Sequence, residues 1–204
     1  LLNHEILPKL QAEGIHRVSK TNLTPSQRTY LQEYFNEQIY PVLSPLAIEP
    51  SESALGLPAL QIILMSELHE VKKNNPGTRY VVFTLPPSLP RHILLPESDH
   101  SAYNYIHVED LVELFLHQYF PQEQVTGTAR FRLSLNSDIT LDDETAEDLA
   151  AEMEQILERR KSSSTIRLEI EKEDDVTPSL ILAIQGLTRA SASQTYLVPG
   201  DLDL

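Results

Sequence analysis

The groups from which a metal site or an acid–base pair would be built are seven histidines (His4, His16, His69, His92, His100, His107 and His117) and thirty carboxylates. The best-spaced set is Asp110, Glu113 and His117, since steps of three and four residues put all three on one face of a helix, where carboxylates and an imidazole can close on a cation. The same spacing describes a solvated helix edge with a capping carboxylate, and no H-x-x-x-H pair supports the metal, so the edge is preferred and no metal is expected there. Arg130 and Arg132 form a second set, because two guanidiniums on one side of an alternating strand can grip a phosphate. Glu169 and Glu171 offer them cross-strand partners instead. Arg91 lies between Pro90 and His92, where a Pro-rich stop fixes the backbone, and rigid loops are where ligand or interface groups are held. Its alternative is a cap or an ion pair within its own domain. The binding candidates are therefore Arg91, Arg130 and Arg132, and no catalytic residue is assigned.

Other chemistries are excluded. The six glycines, at 14, 56, 77, 127, 186 and 200, are too far apart for a phosphate-cradling loop of the dinucleotide or Walker type. No serine sits in a G-x-S-x-G elbow, and the lack of cysteine removes disulfides, thiolate metal sites and a thiol nucleophile. Asn22-Leu23-Thr24 fits a glycosylation acceptor, but its threonine is better used as a helix cap. The net charge of −14 is uneven: residues 1–96 carry eight bases and eight acids, residues 97–204 eight bases and 22 acids. Nine carboxylates fall between Asp138 and Glu158 with no base among them, which repels phosphate polymers and excludes nucleic acid as a partner. The longest uncharged stretch, Ser53 to Ser66, is broken by Pro58 and is shorter than the roughly 18 apolar residues that span a bilayer. A start at Leu1-Leu2-Asn3-His4-Glu5, with neither an initiator Met nor a signal-peptide pattern, is expected of a piece of a longer chain.

The elements that must position these residues follow from periodicity. Leu2, Ile6, Leu7 and Leu10 predict a short helix ending at Gly14, and Ile15 to Val18 a short strand. Thr24-Pro25-Ser26-Gln27 predicts a capping box opening a helix that runs to about Ile39 and stops at Pro41. Strands are expected at Leu60 to Met65 and Tyr80 to Leu85, joined through the turn-forming run Lys72 to Gly77, with a short one at Ile93 to Leu95. Tyr103 to His107 leads into a helix from Val108 to about Tyr119. Thr128 to Leu135 alternates as a half-buried strand, with Arg130, Arg132 and Ser134 outward. Ala146, Leu149, Ala150, Met153, Ile156 and Leu157 form one helical stripe, with acids before it and Arg159-Arg160-Lys161 after. Ile166, Leu168 and Ile170 then alternate with Arg167, Glu169 and Glu171 as a strand; residues 179–187 are helix or strand, and Tyr196 to Val198 a last strand. The class is α+β, a mixed sheet packed with several helices and preceded by a short helical segment.

Leu31, Tyr34-Phe35, Ile39, Pro41-Val42-Leu43-Ser44-Pro45-Leu46-Ala47-Ile48 and Glu49 are followed in order by Leu89-Pro90-Arg91, Leu95-Pro96, Glu109-Asp110-Leu111, Phe120-Pro121, Phe131-Arg132, Asn136-Ser137-Asp138, Arg160, Ile166-Arg167-Leu168-Glu169, Tyr196 and Gly200-Asp201-Leu202-Asp203-Leu204. In that order, over nearly the whole chain, they resemble the middle, or head, domain of bacterial polyphosphate kinase. The departures are Leu55 to Leu60, Leu135 where a basic residue is usual, and Pro199 before rather than after Gly200.

The resemblance implies that residues 1–20 are the end of a helical amino-terminal domain and residues 21–204 the head domain, with carboxy-terminal catalytic domains of phospholipase D-like fold outside this segment. It implies a parent phosphoprotein that transfers the terminal phosphate of ATP to polyphosphate through a phosphorylated histidine with magnesium. In that parent this segment is structural and dimer-forming, and itself holds no cofactor. The implied partners are a second copy, giving a homo-oligomer, and the remaining domains of the parent. ATP and polyphosphate bind mainly through those domains. The implied location is cytoplasmic, at most peripheral at the inner membrane face. The alternatives are a stand-alone acidic protein-interaction module without kinase activity and, more remotely, a metal hydrolase using Asp110, Glu113 and His117.

Overall fold

The computed structural model describes residues 5–48, 57–70, 77–96, 103–136, 164–173 and 176–202. They form an α+β chain of two compact units, one within Leu1–Leu46, Leu68–Thr78 and Leu85–Thr126, the other within Ala47–Glu67, Arg79–Thr84 and Gly127–Leu204. The expected helix with the stripe from Ala146 to Leu157, the acidic run before it and most of the Lys72 to Gly77 turn lie outside the described residues.

In the first unit, helix α1 (Leu7–Ala12) ends before Gly14, whose φ of 80° is left-handed backbone that a glycine adopts without steric cost. Strand β1 (Ile15–Arg17) follows. Helix α2 (Pro25–Tyr34) opens with the expected capping box: the Gln27 N–H donates to Thr24 Oγ1 at 3.2 Å and the Thr24 N–H to Gln27 Oε1 at 3.1 Å. It continues as one π turn, Phe35–Ile39, closed by the Tyr40 N–H on the Phe35 carbonyl at 2.8 Å. Phe35 and Ile39 are both fully buried, and the Phe35 ring lies 5.3 Å from Phe115 and edge-on to Tyr119. Strands β5 (His92–Leu94) and β6 (Tyr103–His107) join β1 in a three-stranded sheet ordered β1-β6-β5, parallel between β1 and β6 and antiparallel between β5 and β6. Helix α3 (Val108–Phe115) leaves β6 directly, and its last residues tighten into a 3₁₀ turn, Leu116–Tyr119, where the sequence predicts continuous α-helix.

The remaining strands are β2 (Leu46–Ile48), β3 (Ile63–Glu70), β4 (Thr78–Thr84), β7 (Glu123–Leu135), β8 (Thr165–Glu171) and β9 (Thr195–Val198), ordered β2-β4-β3-β7-β8-β9 in one sheet. Helix α4 (Pro178–Thr188) is capped by Thr177, whose side chain accepts from the Leu180 N–H, and stops at Arg189 with φ 54°. The core of the second unit joins Ile63, Met65 and Val82 to Phe131, Leu168 and Ile170, under Leu180, Ile184 and Leu187 of α4. Residues 179–187 resolve to helix because Pro178 and the Thr177 cap preset a helix start.

Three expectations need correction. The strand expected from Leu60 begins only at Ile63, because Leu60 adopts a left-handed φ of 61° and donates its N–H to the Leu133 carbonyl at 2.8 Å. β7 is not half-buried through its centre, for five consecutive residues, Gly127 to Phe131, are buried. Alternation marks which face is polar without saying whether that face meets water. Here the polar groups find partners, Thr128 Oγ1 lying 3.1 Å from Ser66 Oγ and Arg130 meeting two carboxylates, and partnered groups can be buried. Finally, Ile166 is exposed instead of sharing the core with Leu168 and Ile170. The register slips at Ser134/Leu135, so that Leu135 faces Thr165 and the strand end leaves the alternation.

Candidate functional site

The antiparallel register sets Arg132 opposite Glu169, and the parallel register of β9 sets Tyr196 on the other side of Glu169. Arg132 donates from Nε (3.1 Å) and NH2 (2.9 Å) to the same oxygen, Glu169 Oε2. The other oxygen, Oε1, lies 3.0 Å from Arg167 NH2, so one carboxylate serves two guanidiniums. The Arg167 guanidinium carbon stands 4.3 Å from the centroid of the Tyr196 ring, a cation–π contact that fixes its plane. Burial works to raise the Glu169 pKa, but hydrogen bonds and charge from Arg132 and then Arg167 outweigh it and hold the carboxyl below its ordinary range.

Arg130, two positions along the same face, has a side chain only 2% exposed, with NH1 3.6 Å from Glu171 Oε2 and 3.7 Å from Glu173 Oε1. Arg91 belongs to the other compact unit. Arg91 donates from Nε to Glu109 Oε1 at 3.0 Å, and its carbonyl accepts the Val108 N–H at 2.8 Å. Glu109 sits in the first turn of α3 with its side chain 2% exposed. His107 Nδ1 is 3.9 Å from the same Glu109 oxygen. The rings of His92 and His107, opposite one another in β5 and β6, have centroids 5.1 Å apart, and Tyr105 is 5.1 Å from His92.

The carboxylates of the possible metal set have cations of their own. Asp110 Oδ2 accepts from Arg17 NH2 at 3.3 Å, and Glu113 pairs with Lys20 Nζ. His117 lies in the 3₁₀ turn, where the α-helical step of four no longer fixes its direction. Among the described residues no three His, Cys, Asp or Glu side chains converge on a cation position.

Sequence reasoning reached the Arg132–Glu169 pair through alternation, but it missed Tyr196 as the platform under Arg167 and the His92–Tyr105–His107 cluster. The register of a parallel edge strand reached through a helix leaves no periodic signal. The histidines did leave one, since His92 and His107 stand at the ends of facing strands.

Residues 26–204 match the family described as the polyphosphate kinase middle domain. The chain is 33% identical over 202 residues to a polyphosphate kinase of Bacillus anthracis, covering 98% of this chain and 28% of that protein. It is 32% identical over 211 residues to a polyphosphate kinase of Mycobacterium leprae, again over 98% of this chain and 28% of the relative. The chain thus spans 28% of the length of these relatives. The crystal structure of a polyphosphate kinase from Porphyromonas gingivalis superposes with a TM-score of 0.75 at 21% identity, over 97% of this chain and 27% of that one, a shared fold.

Proposed function

The chain belongs to the polyphosphate kinase family as its middle domain, and from that premise we propose that it is the structural and dimer-forming module of an enzyme that transfers the terminal phosphate of ATP to polyphosphate. The observation that carries this reading is the commitment of the sequence-predicted arginines to internal carboxylates, Arg91 to Glu109, Arg130 to Glu171 and Glu173, and Arg132 to Glu169. These side chains hold strands and a helix start together, which is the chemistry of a scaffold. The phosphorylated histidine and the magnesium of the reaction then belong to other parts of the parent. What this segment supplies is a scaffold and a surface for a second copy. The parent is a cytoplasmic phosphoprotein on this reading.

The test is to incubate the 204-residue chain and its full-length parent separately with labelled ATP and magnesium, and to measure the mass of the parent by sedimentation equilibrium. Acid-labile label on the parent alone, with a dimer mass, is expected. Label on any of the seven histidines of the fragment, or a monomeric active parent, would overturn the proposal. A parent that takes no label and makes no polyphosphate would favour the stand-alone interaction module.

A further inference from the structure

We propose that the outer face of the β1-β6-β5 sheet, together with α1, is the docking surface for the helical segment that precedes this chain in the parent. The proposal rests on the family reading above and adds to it the place where one part of the parent meets another.

Register sorts the side chains of this sheet. Residues opposite one another in a ladder point to the same side, so Ile15 goes with Tyr103, Leu94 with Tyr105, and His92 with His107. The rings agree, His92 lying 5.1 Å from both Tyr105 and His107. The other side holds Ile93 and Ile106, both buried, and belongs to the core. A sheet with one packed face normally turns polar side chains outward. Here the outward positions are largely aromatic or aliphatic: Tyr103 is 64% exposed and Leu94 60%, with Ile15 and Tyr105 half-buried. Arg17 is the one Lys, Arg, Asp or Glu in the three strands, and it is drawn to Asp110 of α3. A sheet apolar on both sides is the middle of three layers, and at these exposures the outer side lacks its cover among the described residues.

The occupant follows from α1. Ile6, Leu7 and Leu10 give it an apolar stripe, which in a stable helix faces a core, yet none of its residues is buried and Ile6 is 40% exposed. Six residues are also too few to hold a helix by themselves. α1 enters β1 through Gly14, whose carbonyl accepts the Tyr103 N–H at 2.7 Å, so the chain that arrives through α1 joins the edge of this same sheet. Two apolar surfaces without cover are thus adjacent in one unit, and a helix continuing upstream from α1 is a single occupant for both. α1 and β1 lie ahead of the stretch matched to the middle domain, and the chain spans 28% of its relative's length, which leaves ample chain in the parent for such a segment. The joint is no loose linker, since Arg17 and Lys20 pair with Asp110 and Glu113 of α3.

The experiment places the photo-crosslinker p-benzoylphenylalanine at position 103 of the full-length parent, where it replaces an exposed tyrosine by another aromatic, and maps the products by mass spectrometry. A cross-link within one chain, to a peptide preceding Leu1, is expected. The same group at Leu182, 68% exposed on α4 of the other unit, should give no such product. A cross-link between two chains would assign the face to a second copy, and one to a peptide following Leu204 to the downstream part of the parent. Either of these, no cross-link at all, or equal yields from positions 103 and 182 would overturn the proposal. A second measurement uses Leu94→Thr with Tyr103→Thr, which keeps strand propensity while removing apolar surface. In the parent this pair should quicken amide exchange of the peptides preceding Leu1 about tenfold or more, the worth of burying one such side chain. In the 204-residue chain it should leave the urea midpoint nearly unchanged. Unaltered exchange in the parent, or a large loss of midpoint in the 204-residue chain, would also overturn the proposal. Neither readout involves turnover, so their failure leaves the kinase-module reading standing, and an inactive parent leaves this contact standing.

Discussion

Replacing Arg130 by Met should destabilise the second unit severely. The guanidinium stands 3.6 Å from Glu171 and 3.7 Å from Glu173, and Glu171 is itself buried, its side chain 8% exposed. Coulomb's law at such a separation, with an effective dielectric near 20, gives about 4 to 5 kcal/mol of attraction per pair before desolvation. Methionine keeps much of the volume but removes the cation that faces these carboxylates. Breaking a buried pair from one side costs about 3–5 kcal/mol, because a charge then remains in the interior. Domain stability is only about 5–15 kcal/mol, so the variant should sit near the edge of folding. Urea unfolding followed by far-ultraviolet circular dichroism measures the loss, and an unchanged m value certifies that the shift is one of stability. The double variant Arg130→Met with Glu171→Leu should recover most of it, since a buried pair replaced by apolar side chains is often neutral or better. A loss within about 0.5 kcal/mol for Arg130→Met, the range of surface substitutions, would refute the reasoning by showing that this arginine is hydrated in solution.

Arg91→Ala should cost about 1–3 kcal/mol of stability, measured as the shift in urea midpoint, because it strips a charged partner from the buried Glu109; a ligand or interface role for Arg91 would instead leave folding nearly unchanged. Thr24→Ala should cost about 1 kcal/mol by removing the acceptor of the Gln27 N–H, read by the same midpoint. Glu169 titrates below its ordinary 4.5 when folded, so its row stabilises the protein above the unfolded value and that contribution is lost as pH falls through the folded one. Melting temperature against pH should therefore decline less steeply below about pH 5 in Glu169→Gln than in the native chain. Tyr119 is pushed up to about 12 by burial and by the neighbouring Tyr40, so above pH 10 the unfolded chain loses its phenolic proton first and stability falls with rising pH. Tyr119→Phe should lessen that alkaline decline in melting temperature.

Where local chemistry settles a feature, the sequence shows it. Thr24-Pro25-Ser26-Gln27 specifies a helix start that needs nothing else, and Gly14 ends α1 because a left-handed residue is needed there. The pairing of Arg132 with Glu169 was visible as alternation on two strands. What was not legible depends on contacts between segments far apart in the chain. Arg130 and Arg132 are alike in the sequence, yet one is sealed from water and the other is not. Ile166 reads as a core residue until a register slip at Ser134/Leu135 turns it outward. A helix expected over 108–119 keeps its start and changes its last turn, so the i, i+3, i+4 logic that joined Asp110, Glu113 and His117 fails at the histidine. The bases that meet the two carboxylates, Arg17 and Lys20, lie 93 residues earlier and could not be assigned to them by spacing.

Along one face of β7 to β9 the arginines divide their work by exposure. Arg130 has two carboxylates and almost no water, so its charge is consumed by structure. Arg132 has a whole carboxylate oxygen to itself and some water. Arg167 shares that carboxylate, leans on an aromatic ring and is half in solvent. In a low-dielectric position an arginine without its carboxylates would be costly, so burial forces pairing, whereas at the surface incomplete neutralisation costs little. The same residue type is thus sealed from water at one end of the row and open to it at the other. What separates them is the water each can reach, and only the three-dimensional register of β7, β8 and β9 fixes it.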